Sequence, residues 1–126
     1  MKFKLKTTGF RIDKPLADYV DLKLVKIVSK FLKGESALAA VTLDIEIEKT
    51  TTHHHKGKIW RAEANVVLPH AFFRCEATGE DIREAIDILS DEVARDIKRY
   101  KNKSVAKMKR GARAAKRQLK LDRAER

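Results

Sequence analysis

Residues 41–48 read VTLDIEIE, the stretch that decides the fold. Its apolar residues, from Val41 to Ile47, occupy every second position, and Thr, Asp and Glu fill the positions between them. A period of two belongs to a β-strand that buries one face and exposes the other to water. We therefore predict a half-buried strand here, followed by a loop over the polar residues 50–57.

The residues after this loop predict two more strands. Apolar residues over 59–68, Trp60 among them, alternate with Arg61, Glu63 and Asn65, and Pro69-His70 then forms a tight turn. Short links between consecutive strands favour antiparallel pairing. The fourth strand, which ends at Thr78-Gly79, points three side chains inward: Phe73, Cys75 and Ala77.

An N-terminal strand and two helices complete the pattern. Residues 2–8 alternate lysine with apolar residues, whereas residues 14–33 place apolar side chains three or four apart behind Asp13 as an N-cap. A second apolar helical face runs from Ile82 to Tyr100. The order β-α-β-β-β-α predicts a two-layer α+β domain, with both helices on one face of a four-stranded sheet. This arrangement is similar to a double-stranded RNA-binding fold.

Charge divides the chain unevenly. The 126 residues carry 29 Lys+Arg and 18 Asp+Glu, a net charge of +11. Residues 98–126 hold 13 of the basic residues and 2 of the acidic ones, so residues 1–97 are neutral, with 16 of each. We predict an α+β domain over residues 1–103 and a basic tail over 104–126, disordered in the free protein or helical on a partner. Such localised charge indicates a polyanion as that partner.

Other features exclude several classes of protein. The longest apolar run, residues 37–41, is far below the ~20 residues that span a bilayer, and the N-terminus has no apolar secretory core. A single cysteine, Cys75, allows no internal disulfide and agrees with a reducing compartment. We expect a cytoplasmic protein that spans no membrane, with Cys75 and Trp60 as core residues rather than reactive or stacking groups.

Two motifs suggest metal or acid–base chemistry. Asp44, Glu46 and Glu48 share one face of the second strand, and His53–His55 could join His70 around a metal. The simpler interpretation of the carboxylates is a solvated face paired with Lys58 and Arg61. Adjacent histidines in a polar loop also lack the neighbours that fix metal ligands. We expect no enzyme activity, no metal, no cofactor and no small-molecule substrate.

The basic residues are the strongest functional signal. Clustered cations bind nucleic acid by releasing counterions from phosphates, and aromatic residues are absent after Tyr100, which favours phosphate contact over base stacking. Phe72 shares the outward parity of Arg74, although we expect it to pack at the sheet edge. Lys23, Lys26 and Lys30 form a stripe on the first helix. In the tail the candidate RNA-binding residues are Lys107, Lys109, Arg110, Arg113, Lys116 and Arg117.

The second helix and the strand before it resemble a known family. Residues 73–82 read FRCEATGEDI, and residues 85–87 and 98–101 read AID and KRYK. Together these segments resemble the ribosome hibernation promoting factor and ribosome-associated inhibitor A family, the sigma-54 modulation proteins, in its short form. The resemblance covers residues 1 to about 103. At position 96 the chain has Asp in place of the family's usual Gln.

This resemblance implies a partner and a set of contacts. Members of the family bind the small ribosomal subunit, where they occupy the channel of messenger and transfer RNA and inhibit translation in idle ribosomes. It implies contacts to ribosomal RNA by Arg74, Arg95, Lys98, Arg99 and Lys101, and the charge pattern adds Lys103 and the stripe on the first helix.

We expect a translation inhibitor that binds ribosomal RNA and is a monomer off the ribosome. Two alternatives remain open from the sequence: a double-stranded RNA-binding module acting off the ribosome, and a protein whose basic tail docks on a membrane or an acidic partner.

Overall fold

The computed structural model describes residues 1–34, 36–50 and 59–124. Its elements follow the predicted order β-α-β-β-β-α. A π-helical turn over Asp21–Val25 joins the two segments of the first helix, and a 3-10 turn over Ser36–Ala40 precedes the second strand. The elements are β1 (Lys2–Thr8), α1 (Lys14–Val20), α2 (Lys26–Phe31), β2 (Thr42–Lys49), β3 (Trp60–Leu68), β4 (Ala71–Gly79) and α3 (Ile82–Ala124).

The four strands form one mixed sheet in the order β1-β2-β3-β4. β1 pairs with β2 in parallel, and the pairs β2–β3 and β3–β4 are antiparallel, as the short links predict. The register aligns buried positions across the sheet, since Ile45 lies opposite Ala64 and Ala64 lies opposite Cys75. Polar positions align in the same way on the other face.

A single apolar core lies between the sheet and the helices. The buried apolar residues of β2, β3 and β4 belong to one cluster with Leu24 of the π turn and Ile97 of α3. Both helices therefore cover the same face of the sheet, and the predicted two-layer α+β fold is confirmed. Trp60 is half-buried at the margin of this core, where its ring meets Phe10 edge-on at 5.0 Å.

The first helix begins as predicted but is not regular. Asp13 accepts a hydrogen bond from the backbone N–H of Leu16 at 2.9 Å, which is the expected N-cap. Within the π turn the backbone N–H of Lys26 bonds to the carbonyl of Asp21, five residues back. The hydroxyl of Ser90, from α3, donates to the carbonyl of Lys23 at 2.7 Å. This contact ties the irregular turn to α3.

The last helix is longer than the sequence pattern indicated. We expected it to end near residue 103, and in the structure its backbone continues to Ala124. Residues 109–120 are almost entirely Ala, Lys, Arg, Gln and Leu, the strongest helix formers, and Gly111 alone interrupts them. That propensity is enough to continue the helix. The division of the chain into a domain over 1–103 and a tail stays a prediction.

Candidate nucleic-acid interface

The cations of α3 lie on the face that the core leaves free. Val93 and Ile97 are fully buried against the sheet. Arg95, Lys98 and Arg99 fall on the opposite side of the helix and are exposed. The apolar periodicity of the helix therefore decides which residues can reach a partner.

The residues around position 100 are anchored to the rest of the body at two points. The hydroxyl of Tyr100 donates to the carbonyl of Pro69 in the β3–β4 turn at 3.2 Å. The ammonium of Lys101 donates to the carbonyl of Phe31, at the end of α2, at 2.7 Å. Lys98 also places its ammonium 5.2 Å from the centre of the Phe31 ring. The predicted cations are thus held at the end of the body where α2, the β3–β4 turn and α3 meet.

The stripe predicted on the first helix is divided by the structure. Lys26 and Lys30 are exposed, and Lys30 precedes Phe31 directly at the anchored end. The ammonium of Lys23 instead lies 3.6 Å from the carboxylate of Asp87 and 5.8 Å from the centre of the Tyr19 ring. The positive charge of Lys23 is therefore partly balanced by Asp87 within the protein.

Tyr19 belongs to the same cluster at the start of α3. Its hydroxyl donates to Asp87, and the Arg83 guanidinium lies 4.6 Å from the centre of its ring. The hydrogen bond to the Asp87 carboxylate raises the pKa of Tyr19, and burial adds to the effect. These contacts fix α1 against the start of α3, away from the part of α3 that Tyr100 and Lys101 anchor.

Arg74 is separated from the other candidates by the sheet. Its side chain is on the open face, where its Nε lies 2.6 Å from a carboxylate oxygen of Glu63, and it remains 57% exposed. Lys26 and Lys30 are carried by the helix layer on the other face. The structure therefore does not bring Arg74 together with the stripe of the first helix.

Glu63, predicted to be on the solvated face, is buried there, with 6% of its surface exposed. Arg61 covers it at 2.7 Å, while a second nitrogen of Arg61 bonds Glu76 at 2.6 Å. Burial alone would raise the pKa of Glu63, but hydrogen bonds from Arg61, Arg74 and Asn65 outweigh it and hold the pKa below its usual value. The Glu76 carboxyl also has a lowered pKa, chiefly through its hydrogen bond from Arg61.

Two of the three carboxylates of β2 have partners, whereas the buried Oδ1 of Asp44 has no hydrogen-bond partner in the part of the chain that the structure describes. Glu48 lies 3.7 Å from Arg61, the predicted cross-strand partner, and Glu46 accepts a hydrogen bond from the hydroxyl of Thr8 at 3.4 Å. Lys58 and His53–His55 lie outside the described residues. Within residues 1–34, 36–50 and 59–124, no three His, Cys, Asp or Glu side chains are grouped as metal ligands.

Cys75 is a buried thiol, as predicted. It is 4% exposed and donates a hydrogen bond to the Asp96 carboxylate at 3.2 Å. Burial and the neighbouring Asp96 raise the pKa of the Cys75 thiol to about 12. The thiol is therefore protonated at neutral pH and is a poor nucleophile.

A comparison with protein families identifies the scaffold. Residues 3–105 match the family described as Sigma 54 modulation protein / S30EA ribosomal protein. The chain belongs to this family. The family predicted from the residues of β4 and α3 is thereby confirmed.

Individual members of the S30EA ribosomal protein family show how far the similarity extends. The ribosome hibernation promotion factors of Picosynechococcus and Lactococcus lactis are each 27% identical, over 85% and 82% of this chain. The chain spans about half the length of these two relatives, 52% and 51%. The ribosome hibernation promoting factor of Pseudomonas putida is 28% identical over 82% of this chain and 89% of its own.

Solved structures give the same result for the fold. The N-terminal domain of Thermus thermophilus Protein Y superposes with a TM-score of 0.62 at 26% identity, over 79% of this chain and 99% of that one. A ribosomal subunit interface protein from Coxiella burnetii has the same TM-score at 20% identity, over 81% of this chain and 99% of its own, and shows the fold alone.

Beyond the part that matches the S30EA family, α3 carries a one-sided row of cations. At about 100° per residue, the six basic residues between 109 and 120 fall within about 120° of the helix circumference. The other six residues of this segment are uncharged. The side chain of Lys107 lies outside the described part of the chain. The exposed cations of this tail row are Lys109, Arg110, Arg113, Lys116, Arg117 and Lys120.

Phe72 is the residue that sequence reasoning placed wrongly. We expected it to pack at the sheet edge, but 63% of its surface is exposed. Edge packing fails because α3 covers the inward side of β4, whereas Phe72 shares the outward parity of Arg74. The outward parity was the only signal of this exposure in the sequence.

Other contacts had no signal at all in the sequence, among them the hydrogen bond from the ammonium of Lys101 to the carbonyl of Phe31.

Among the described residues, no helix has both the length and the apolar character of a membrane span.

Proposed function

We propose that this chain binds the small ribosomal subunit through ribosomal RNA and inhibits translation by occupying the channel of messenger and transfer RNA. The observation that carries this proposal is the group of exposed cations beside the anchored residues Tyr100 and Lys101 of α3, on a scaffold of the S30EA family. The action is steric and needs no catalysis. It takes place in the cytoplasm, and the free protein is a monomer.

The names of the relatives support this proposal. Two of them are called ribosome hibernation promotion factors, and a third is called a ribosome hibernation promoting factor. Cationic side chains that bind phosphates position a protein on RNA without reading its sequence. A factor that must act on every ribosome needs such recognition by shape and charge.

The fold holds the cations of α3 on a rigid backbone. Arg95, Lys98 and Arg99 project from a helix whose other face is fully buried, so little conformational freedom of the backbone is lost when they bind. Lys101 has a different role in this proposal. Because its ammonium bonds the carbonyl of Phe31, it positions the middle of α3 against the end of α2 and adds charge to the surface around it.

The remaining candidates fall into separate groups. Lys26, Lys30 and Lys103 extend the anchored surface, whereas Lys23 contributes less because Asp87 is its neighbour. Arg74 would contact RNA that passes around the β4 edge of the sheet. The tail row adds phosphate contacts beyond the body.

Sedimentation of a cell lysate through sucrose tests the proposal. We expect the protein to migrate with small subunits or whole ribosomes at low salt and to be released at high salt, because counterions compete for phosphates. Recovery only in the soluble or membrane fraction at low salt would falsify it. Migration with RNA that is free of ribosomes would instead favour a double-stranded RNA-binding module.

A pair of matched variants assigns the surface. The triple substitution Arg95→Gln, Lys98→Gln and Arg99→Gln should weaken ribosome binding strongly, since it removes three exposed cations without touching the core. The control Lys2→Gln, Lys4→Gln and Lys6→Gln removes the same charge from β1, at the far edge of the sheet. Equal losses in both variants would show that only net charge matters and would refute the assigned surface.

A further inference from the structure

A small cleft opens where the edge strand β4 meets the anchored part of α3. Its volume is about 250 Å³, below the ~300–1,000 Å³ of pockets for drug-sized molecules. Such a volume suits a single ring system with part of its substituent. The lining residues are Ala71, Phe72, Phe73, Asp96, Arg99, Tyr100 and Lys103.

The cleft combines aromatic surface with positive charge. Phe72 is exposed over 63% of its surface, and its cross-strand neighbour Val67 is exposed over 42%. Arg99 and Lys103 stand on the helix side of the cleft, and Arg99 is held by Asp96 at 3.3 Å while its side chain stays 68% exposed. Arg99 lies 27 positions after Phe72 in the sequence and Lys103 lies 31 positions after it, so only the packing of α3 on β4 brings the ring and the cations together.

We propose that this cleft binds one unpaired nucleotide of single-stranded RNA, with the base stacked on Phe72 and a phosphate on Arg99 and Lys103. Aromatic rings beside a cationic track are how proteins hold single strands, because every base offers a face for stacking. A duplex keeps its bases stacked on each other and cannot supply one to the cleft. The proposal rests on the proposed function for its choice of RNA as the partner.

A third cation, Arg74, favours an RNA strand that passes over the β4 edge. Arg74 follows Phe72 by two residues, so its side chain leaves the same face about 7 Å further along the strand. Its contact with Glu63 at 2.6 Å fixes the direction of the guanidinium. A nucleotide stacked on Phe72 would then have cations near the phosphates on both sides of its base.

The test measures binding of a labelled six-nucleotide single-stranded RNA by fluorescence anisotropy. A second oligonucleotide has the same backbone and abasic sugars at every position. We expect the wild type to bind the complete RNA about 5- to 100-fold more tightly than the abasic strand, roughly the range that one stacking contact provides. Equal affinities for the two strands would overturn the proposal, since they would show that only phosphates are bound.

Three variants connect this preference to Phe72. Phe72→Leu should lose the preference for bases and keep its affinity for the abasic strand, whereas Phe72→Tyr should retain both. Phe3→Leu removes an aromatic residue from β1, three strands away, and should change neither. If Phe72→Leu still preferred the complete RNA to the abasic strand as strongly as the wild type does, the bases would be bound elsewhere and the proposed site would be refuted.

These outcomes separate the site from the wider function. A protein that sediments with ribosomes, yet binds both strands equally, lacks the nucleotide site and keeps the proposed function. A protein that prefers bases through Phe72, yet never sediments with ribosomes, has the site and loses the proposed function. Since Phe72 is mostly exposed, its substitution leaves the core intact, and thermal unfolding of each variant checks this directly.

Discussion

Glu63 shows what a single residue does on the open face of the sheet. Its carboxylate accepts hydrogen bonds from side-chain nitrogens of Arg61, Arg74 and Asn65 at distances of 2.6–3.1 Å. The two arginines cover it and offset the cost of its burial. Arg74, a candidate RNA contact, is therefore oriented by a carboxylate on the neighbouring strand.

Acid should weaken this network. The pKa of Glu63 is lower in the folded protein than in the unfolded chain, so its stabilisation is present above the unfolded pKa near 4.3 and is lost as the pH falls through the folded pKa. We expect Glu63→Gln to lower the free energy of unfolding by about 1–3 kcal/mol at pH 7 and by much less at pH 3. Urea unfolding at the two pH values measures both.

Asp91→Asn is the control for this prediction, because it removes an exposed carboxylate from the first third of α3. It should have little effect at either pH. A Glu63→Gln variant as destabilised at pH 3 as at pH 7 would contradict the assigned ionic role.

At the scale of elements, α3 has two parts that differ in what supports them. As far as Tyr100 it packs on β4 and β3, and its apolar face is buried. The segment over 109–120 has exposed side chains all around and depends on intrinsic helix propensity. The two glycines at positions 79 and 111 lie on either side of this division.

Substitution of these glycines by alanine should affect different properties: global stability at Gly79 and helix content at Gly111. A Cβ at Gly79, where β4 ends, would lie 2.9 Å from the backbone N of Ala85 and from the carbonyl O of Asp81, so Gly79→Ala should lower the free energy of unfolding by about 1–3 kcal/mol. A Cβ at Gly111 meets nothing within 4 Å. Gly111→Ala should therefore raise the helix content without changing global stability.

Urea unfolding and far-ultraviolet circular dichroism measure these two quantities. A Gly79→Ala variant as stable as the wild type would show that the start of α3 shifts easily. A loss of helix content in Gly111→Ala would contradict a helix through that position.

At the scale of the whole molecule, stability and charge lie in different places. The described core residues all lie between positions 16 and 97. Residues 104–126 hold 9 basic and 2 acidic residues, a net charge of +7 out of +11. The helix beyond Lys103 extends about 30 Å at about 1.5 Å per residue. The body thus supplies shape, and the extension supplies most of the net charge.

Truncation after Lys103 should separate these properties. We expect the midpoint of thermal unfolding to stay within a few degrees of the wild type, because no described core residue is lost. The slope of log affinity against log salt for RNA should fall by about four to five, since six exposed cations no longer release counterions. Anisotropy titrations at several salt concentrations measure this slope. An unchanged slope would show that the extension does not contact RNA.

The sequence by itself determined the order of the elements, the two-layer fold, the family and the location of the charge. These follow from local periods, caps and motifs, which neighbouring residues define without reference to the rest of the chain. The alternation of residues 41–48 and the apolar face of α3 are sufficient examples.

Only the tertiary structure decided which cations share a surface. It directs Lys23 to Asp87 and Lys101 to the carbonyl of Phe31. It also buries Glu63 and exposes Phe72. Such contacts join residues far apart in sequence and depend on how the helices pack on each other and on which side chains meet across the strands, and a periodic pattern contains no information about those distances.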